Sequence, residues 1–535
     1  MVPNSRESSA SAATSYGKHL PSISPNCNDE TLYSLNTMRA ITNFQLFLLK
    51  AVINSFLLHT QHARLVADHN RIFTFNDLTD NTTYENIPLK YTPRKMVGWH
   101  DQGVFYVIES DNNTISADRR QQLIAHAGVK KEDDGTNGSM EVENANGGAT
   151  NGTDDSDELP AVDFGYPRAQ GSWASCIQVV DPVSEKTVTH TVELNGNQSL
   201  VSAALVFFES RGEEAFLVVG TAKDLSFTPF KYTSASIQVY KINPTGRELE
   251  FFHETEVSDP PLALLAFKGK LIAGVGRHLC LYDCGMKSVL RKAQAPNCVP
   301  TRITDLKTQG SRLVVSDQAQ SVTYVVHKDQ VHPNRLIPFV DDTIARHTSA
   351  SEMLDYDTTV GGDKFGNIWL VRCPQKVSES SDESPDGSDL LVDKGYLGGT
   401  PNRLDLIAHY FTNDIPVSIQ KTVLLSGGER IIFWAGLQGT LGALIPFNSR
   451  RQHKMFQQLE LQLRSDDKPL SGRDHLAFRS YFAPVKSVID GDLIERFLVL
   501  SRDKRESIAG QMTGAEWTPS MIDEAIWNMR GLYAF

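Results

Sequence analysis

One short pattern recurs along this chain and narrows its fold more than any other feature. It is an apolar run, a tight turn bearing Gly or Asp, and a second apolar run. KLIAGVGRHLCLYD carries it around Gly276, RLVVSDQAQSVTYVV around Asp317 and TTVGGDKFGNIWLV around Lys364. IIFWAGLQGTLGALIPF carries it around Gln438, and VADHNRIFTF near Asn70. Turn residues that tolerate positive φ, set between buried or alternating runs, read as β-hairpins. The steps from Gly276 to Asp317 and on to Lys364 are each between forty and fifty residues. A multi-strand repeat of about that length is the mark of a propeller blade, and closing blades into a ring removes exposed sheet edges. The expected fold class is therefore mainly β, a β-propeller. A pair of β-sandwiches is the competing reading, and the many repetitions over nearly 400 residues argue against it.

The character changes after Phe447. In RRQHKMFQQLELQLR, Phe456, Leu459 and Leu463 recur at helical spacing, and Leu493 and Phe497 are four apart in DGDLIERFLVL. In TPSMIDEAIWNM, Thr518 suits an N-cap with Pro519 at the first helical position, followed by the stripe Ile522, Ala525, Ile526 and Met529. The division expected is a propeller over 62–447 and a small helical C-terminal domain over 448–535.

Two segments stand apart by composition. Residues 131–158 hold nine acids, one base and no aromatic, and 377–393 hold six acids and no base. Such stretches bury too little apolar surface to offset the entropy of ordering, so both are expected to be solvated, disordered loops. A phosphorylated or partner-binding segment is the functional alternative. Residues 1–61 begin Ser-rich and contain one apolar stretch, residues 44–58, interrupted by Lys50. That stretch is shorter than the roughly 20 residues of a membrane span and does not start like a signal sequence, so no membrane association is expected.

Net charge −12 and pI about 5.7 argue against a surface devoted to gripping a phosphate backbone, so any RNA contact is expected to be indirect or minor. The basic spots TPRK, SRRQHK and RDKR lack the interleaved aromatics of a single-strand platform. Six dispersed cysteines form no CxxC pair and fit a reducing compartment; Cys280 and Cys284 read as packing thiols. No Walker A loop, GxGxxG, HExxH or GxSxG is present. Ser471, Asp474 and His475 lie too close in sequence to converge as a triad. Asp355, Asp357 and Asp363 fail the calcium-loop pattern and read as turn aspartates. The expectation is a non-enzyme with no cofactor and no metal.

Longer motifs carry a family resemblance. LKYTPRK (89–95), FLVVGTAKDL (216–225), EMLDYDT (352–358), GDKFGNIWLV (362–371), LRSDDKPLSGRDHLAFRSYFAPVKSVIDGDL (463–493) and the terminal YAF (533–535) are the stretches concerned. Through them the chain resembles the splicing factor 3b subunit 3 family. Its superfamily includes the large subunit of damaged-DNA-binding protein and the largest cleavage and polyadenylation specificity factor subunit. The resemblance implies the family's third propeller, seven-bladed, followed by a helical domain. It also implies a nuclear, non-catalytic scaffold in the SF3b complex of the U2 small nuclear ribonucleoprotein, supporting branch-site recognition in pre-mRNA splicing. The implied partners are the helical-repeat large subunit and the small subunits of that complex. Arg473, Asp474, His475, Arg479, Asp490 and Asp492, inside the longest motif, are the partner-contact candidates.

Family chains are more than twice as long, the two preceding propellers are missing, and 1–61 match nothing in the family. The chain reads as the C-terminal part of such a protein, from a truncated gene with translated non-coding sequence at its start, or as a short paralogue. Without the family's N-terminal segment the ring is expected to close incompletely and expose a strand edge. The competing function is an adaptor of a cullin ubiquitin ligase or DNA-repair assembly; a propeller hydrolase is a distant third.

Overall fold

Apolar residues that alternate or run together in short stretches place their side chains on sheet faces, and the sheets here stack on one another through those faces. The computed structural model describes residues 63–68, 71–76, 87–116, 171–182, 186–387, 390, 399–423, 429–466, 472–512 and 517–532. The expectations for 1–61, for the acidic run 131–158, for Ser471 and for the terminal YAF lie outside them. Described residues all belong to one unit, Ile41–Phe535.

The fold is a β-propeller with a helical C-terminal region. Blade 1 is Pro93–Trp99, Val104–Asn112, Trp173–Asp181 and Thr187–Leu194. Blade 2 is Gln198–Phe207, Ala215–Lys223, Ser234–Ile242 and Leu249–Val257. Blade 3 is Pro261–Phe267, Lys270–Val275, His278–Cys284 and Val289–Ala295. Blade 4 is Ile303–Gln309, Arg312–Asp317, Val322–Lys328 and Arg335–Asp341, with Asn402–Arg403 added in parallel. Blade 5 is Thr348–Met353, Thr358–Asp363, Asn367–Arg372 and Asp405–Phe411. Blade 6 has three described strands, Pro416–Thr422, Ile431–Gly436 and Leu441–Leu444. The first strands of successive blades lie side by side from blade 1 to blade 6. A separate hairpin pairs Ala63–Asp68 with Arg71–Asn76.

The turns read from the sequence fall at one place in the architecture. Gly276, the stretch after Asp317, Lys364 and Gln438 all sit between the second and third strands of blades 3 to 6. Carboxylates fasten this corner. Asp317 accepts hydrogen bonds from the backbone N–H groups of Thr301, Arg302, Ala319 and Gln320. Asp363 does the same for Phe365 and Asn367. In blade 6 the roles swap: Asp414, just before the first strand, accepts from Gln438 N–H, and the corner residue is Gly436. A Cβ on Gly436 would lie 2.1 Å from the Asp414 carboxylate, so that corner requires glycine.

Apolar cores fill the spaces between blades. Tyr106, Ile108, Ile177, Leu217 and Val219 join blades 1 and 2; Phe216, Val218, Leu271, Ala273 and Tyr282 join blades 2 and 3. Leu279, Leu281, Ile303, Leu313 and Val315 join blades 3 and 4, and Tyr324, Phe339, Trp369 and Val371 join blades 4 and 5. Cys176, Cys280, Cys284, Cys298 and Cys373 are buried and unpaired as disulfides.

The acidic run at 377–393 departs from the expected solvated loop. Its first part belongs to helix α1, Gln375–Glu383, and the pairing partner is remote in sequence. The Arg312 guanidinium is fully buried beneath the helix. It donates to Ser378 Oγ at 3.0 Å, Ser381 Oγ at 2.7 Å and Asp382 Oδ1 at 3.1 Å, and it bonds Asp357. Tyr356 stacks on it, 4.0 Å from ring centre to Cζ. Composition shows that the segment has little apolar surface of its own; it does not show a buried cation waiting for hydroxyls and a carboxylate.

Beyond blade 6 come α2 (Arg450–Asp466), α3 (His475–Phe478), α4 (Gly491–Glu495), α5 (Arg502–Gln511) and α6 (Pro519–Arg530). The α2 stripe of Met455, Phe456, Leu459 and Leu463 meets Leu493, Phe497, Ile508, Ile522 and Ile526 in one core. Thr518 caps α6 by accepting from Met521 N–H, with Pro519 at its start.

Candidate protein interface at the propeller–helix junction

The tail between α3 and α4 is stitched to the outer strand of blade 5. His409 and Lys486 exchange backbone hydrogen bonds at 3.0 and 2.9 Å, and Phe411 N–H donates to the Arg479 carbonyl at 3.1 Å. The strand edge that would otherwise be free is thereby paired at these positions.

Behind this seam lies a polar clasp built from the charged residues singled out in the sequence. Arg479 Nε donates to Asp490 Oδ2 at 2.7 Å, and its Nη2 reaches Asp492 at 2.5 Å. His475 Nε2 also bonds Asp490. Asp490 caps α4 by accepting from Asp492 N–H, and its own N–H donates to the buried Glu460. The Arg479 guanidinium lies over Tyr410 at 5.3 Å, tying the clasp to blade 5. Burial works to raise the Asp490 carboxyl, but the hydrogen bonds from His475 and Arg479 outweigh it and hold it below the usual carboxylate range.

Four of the six candidates, His475, Arg479, Asp490 and Asp492, thus converge in one network inside the chain. Asp474 pairs instead with Arg464, 3.0 Å from its Nε. Arg473 is exposed and makes no ion pair among the described residues. Arg479 and Asp490 are buried, so their first task is to fix the tail on the propeller.

What they fix is an exposed aromatic cluster in the same motif that is not among those six candidates. Phe482 is 62% exposed and Tyr481 49%. Tyr481 stacks on Phe411 at 5.3 Å, and Phe482 meets Phe365 at 5.9 Å and His409 at 5.8 Å. Phe482 has φ +49°, a left-handed conformation costly for an aromatic residue, and the Ala483 N–H donates across it to the Tyr481 carbonyl at 2.6 Å. Lys364 lies over Phe365 at 5.3 Å, and Lys486 flanks the cluster. The signal was present in FRSYFAP, where two aromatics stand beside Pro484 in a polar stretch. Phe365 could not be joined to them without the fold. Aromatics held partly exposed at a surface are the kind of anchor in which protein-binding hot spots are enriched.

A cleft of about 320 Å3 between blades 2 and 3 is lined by His278, Cys280, Tyr282 and Arg291. Burial pushes the Cys280 thiol and the Tyr282 hydroxyl up, which keeps both protonated and disfavours nucleophilic use. Asp474 and His475 each bond another residue. No group of three or more potential metal ligands occurs among the described residues, and no described helix is long and apolar enough to cross a membrane.

Comparison with known proteins follows the same line. The profile of the family described as "CPSF A subunit region" matches residues 174–499. The pre-mRNA-splicing factor rse1 of Emericella nidulans is 52% identical over 465 residues, covering 87% of this chain and 36% of that protein. The pre-mRNA-splicing factor prp12 of Schizosaccharomyces pombe is 40% identical over 83% of this chain and 34% of its own length. Splicing factor 3B subunit 3 of Danio rerio is 36% identical over 84% of this chain and 36% of its own length. The chain thus spans about a third of the length of the curated relatives it matches, and it belongs to the CPSF A subunit region family, on the side of that family's splicing factors.

Proposed function

We propose that this chain is a non-catalytic scaffold of pre-mRNA splicing, acting in the nucleus within the SF3b complex of the U2 small nuclear ribonucleoprotein. In this reading the propeller (62–447) and helical domain (448–535) work together through protein–protein contacts that support branch-site recognition. The helical-repeat large subunit and the small subunits of the complex are its partners. The observation that carries the reading is the 52% identity to a pre-mRNA-splicing factor over 87% of the chain. The rigid aromatic cluster at the junction supports it, because it supplies anchors for binding and nothing suited to bond making or breaking.

The test is affinity purification of the tagged full chain from nuclear extract, read by mass spectrometry. Recovery of the other SF3b subunits supports the proposal. A well-folded chain that recovers none of them, or recovers a cullin in their place, contradicts it.

A further inference from the structure

We propose that Ser380 is a phosphorylation site for a protein kinase that reads acidic residues, and that the phosphate releases helix α1 from its seat on Arg312. The inference rests on α1 itself and does not depend on the splicing assignment.

The segment runs Ser378-Glu-Ser-Ser-Asp-Glu-Ser-Pro-Asp386. Burial separates its four hydroxyls. Ser378 and Ser381 point into Arg312 and are buried. Ser384 is also buried, and its Oγ accepts from Gly387 N–H at 3.1 Å. Ser380 faces solvent, with Asp382 two residues on and Glu383 three residues on, also exposed. A kinase with a cationic substrate groove therefore meets one accessible hydroxyl followed by carboxylates. The Ser380 oxygen would attack the γ-phosphorus of Mg-ATP, the bond from that phosphorus to the β–γ bridging oxygen would break, ADP would leave, and the hydroxyl proton would pass to the kinase's base.

Placement determines the consequence. Ser380 is in the last turn of α1, where its carbonyl accepts from Ser384 N–H at 3.2 Å. A phosphate there adds negative charge at the negative end of the helix dipole and one turn from Glu383. Lys376, one turn earlier, offsets only part of this. The helix has nine residues and no side-chain cap at its start, so it has little stability of its own. Its grip on blades 4 and 5 includes the Arg312 contacts, the Ser378 hydroxyl on Asp357, the Tyr356 hydroxyl on Asp382, the Lys328 ammonium on the Asp382 carbonyl and the packing of Val377 on the core between the two blades. Unwinding the last turn withdraws Ser381 and Asp382 from Arg312 and leaves a buried cation less fully paired, which favours further opening.

The experiment treats the full chain with casein kinase 2 and Mg-ATP, maps the phosphate by mass spectrometry, and follows hydrogen exchange over 375–387. The proposal expects phosphate on Ser380, lost in Ser380→Ala, and exchange of amides 379–384 at least tenfold faster in the modified chain. Ser380→Glu, at a solvent-facing position, should accelerate exchange in the same direction by a smaller factor. Absence of phosphate from Ser380, or a phosphorylated Ser380 whose helix exchanges within twofold of the unmodified chain, overturns it.

Discussion

Replacing Arg479 by Met removes the centre of the junction clasp while keeping most of the side chain's volume. The guanidinium has its Nε 2.7 Å from Asp490 Oδ2 and its Nη2 2.5 Å from Asp492, and Asp490 has 2% of its side chain exposed. Removing one partner of a buried ion pair costs about 3–5 kcal/mol, because the remaining charge is left without compensation. Asp490 keeps two other contacts, from His475 and from Asp492 N–H, which places the loss near the lower end, about 3 kcal/mol. The sign with pH is definite. The Asp490 carboxyl is held down in the folded chain, so its stabilisation is present above the unfolded value near 3.9 and is lost as pH falls through the folded one. The penalty of Arg479→Met should therefore shrink in acid, where Asp490 takes up a proton. Adding Asp490→Asn, which keeps the α4 cap acceptor, should recover at least about 1 kcal/mol as a coupling energy in a double-mutant cycle. Urea unfolding at pH 7 and pH 3 measures the totals, and hydrogen exchange over His475–Leu500 locates the loss. A single variant within about 0.5 kcal/mol of the native chain, or a double variant as unstable as the sum of the singles, would refute the clasp as a buried charge pair.

Three further outcomes follow. Burial raises Glu109 to about 8, so blade 1 should lose stability as pH rises from about 4.5 through 8. The loss should reach roughly 4–5 kcal/mol, and Glu109→Gln should flatten that slope in urea titrations across the range. A Cβ on Gly361 would lie 2.2 Å from the buried Trp369 ring, so Gly361→Ala should cost about 1–3 kcal/mol in urea midpoint and alter the near-ultraviolet dichroism. Phe482→Ser should leave the urea midpoint within about 1 kcal/mol while weakening partner capture, because the ring is mainly exposed and strained in φ.

The residues differ in how much of this they announce. The blade corners were legible because Gly276, Asp317, Lys364 and Gln438 follow local turn chemistry. So were α2 and α6, whose apolar spacing and Thr518 cap are properties of a few consecutive residues. Helix α1 was not legible, since its stability comes from Arg312, 66 residues from Ser378 in the chain. The junction was half legible. The motif around Arg479 and Asp490 pointed to the right stretch, yet charge in a sequence does not say whether a residue faces a partner or its own chain. Both turned inward, and the outward anchors Tyr481 and Phe482 are defined by Phe365 and Phe411 on blade 5.

The most direct test compares the tagged native chain with its Tyr481→Ser/Phe482→Ser variant in affinity purification from nuclear extract, after matching urea midpoints establish that both fold. The account predicts that the native chain recovers the other SF3b subunits and that the variant recovers them at least tenfold less, as expected when anchors carrying about 1.4 kcal/mol or more are removed. A folded native chain that captures no SF3b subunit would contradict the scaffold reading; equal capture by both chains would contradict the role assigned to the aromatic cluster.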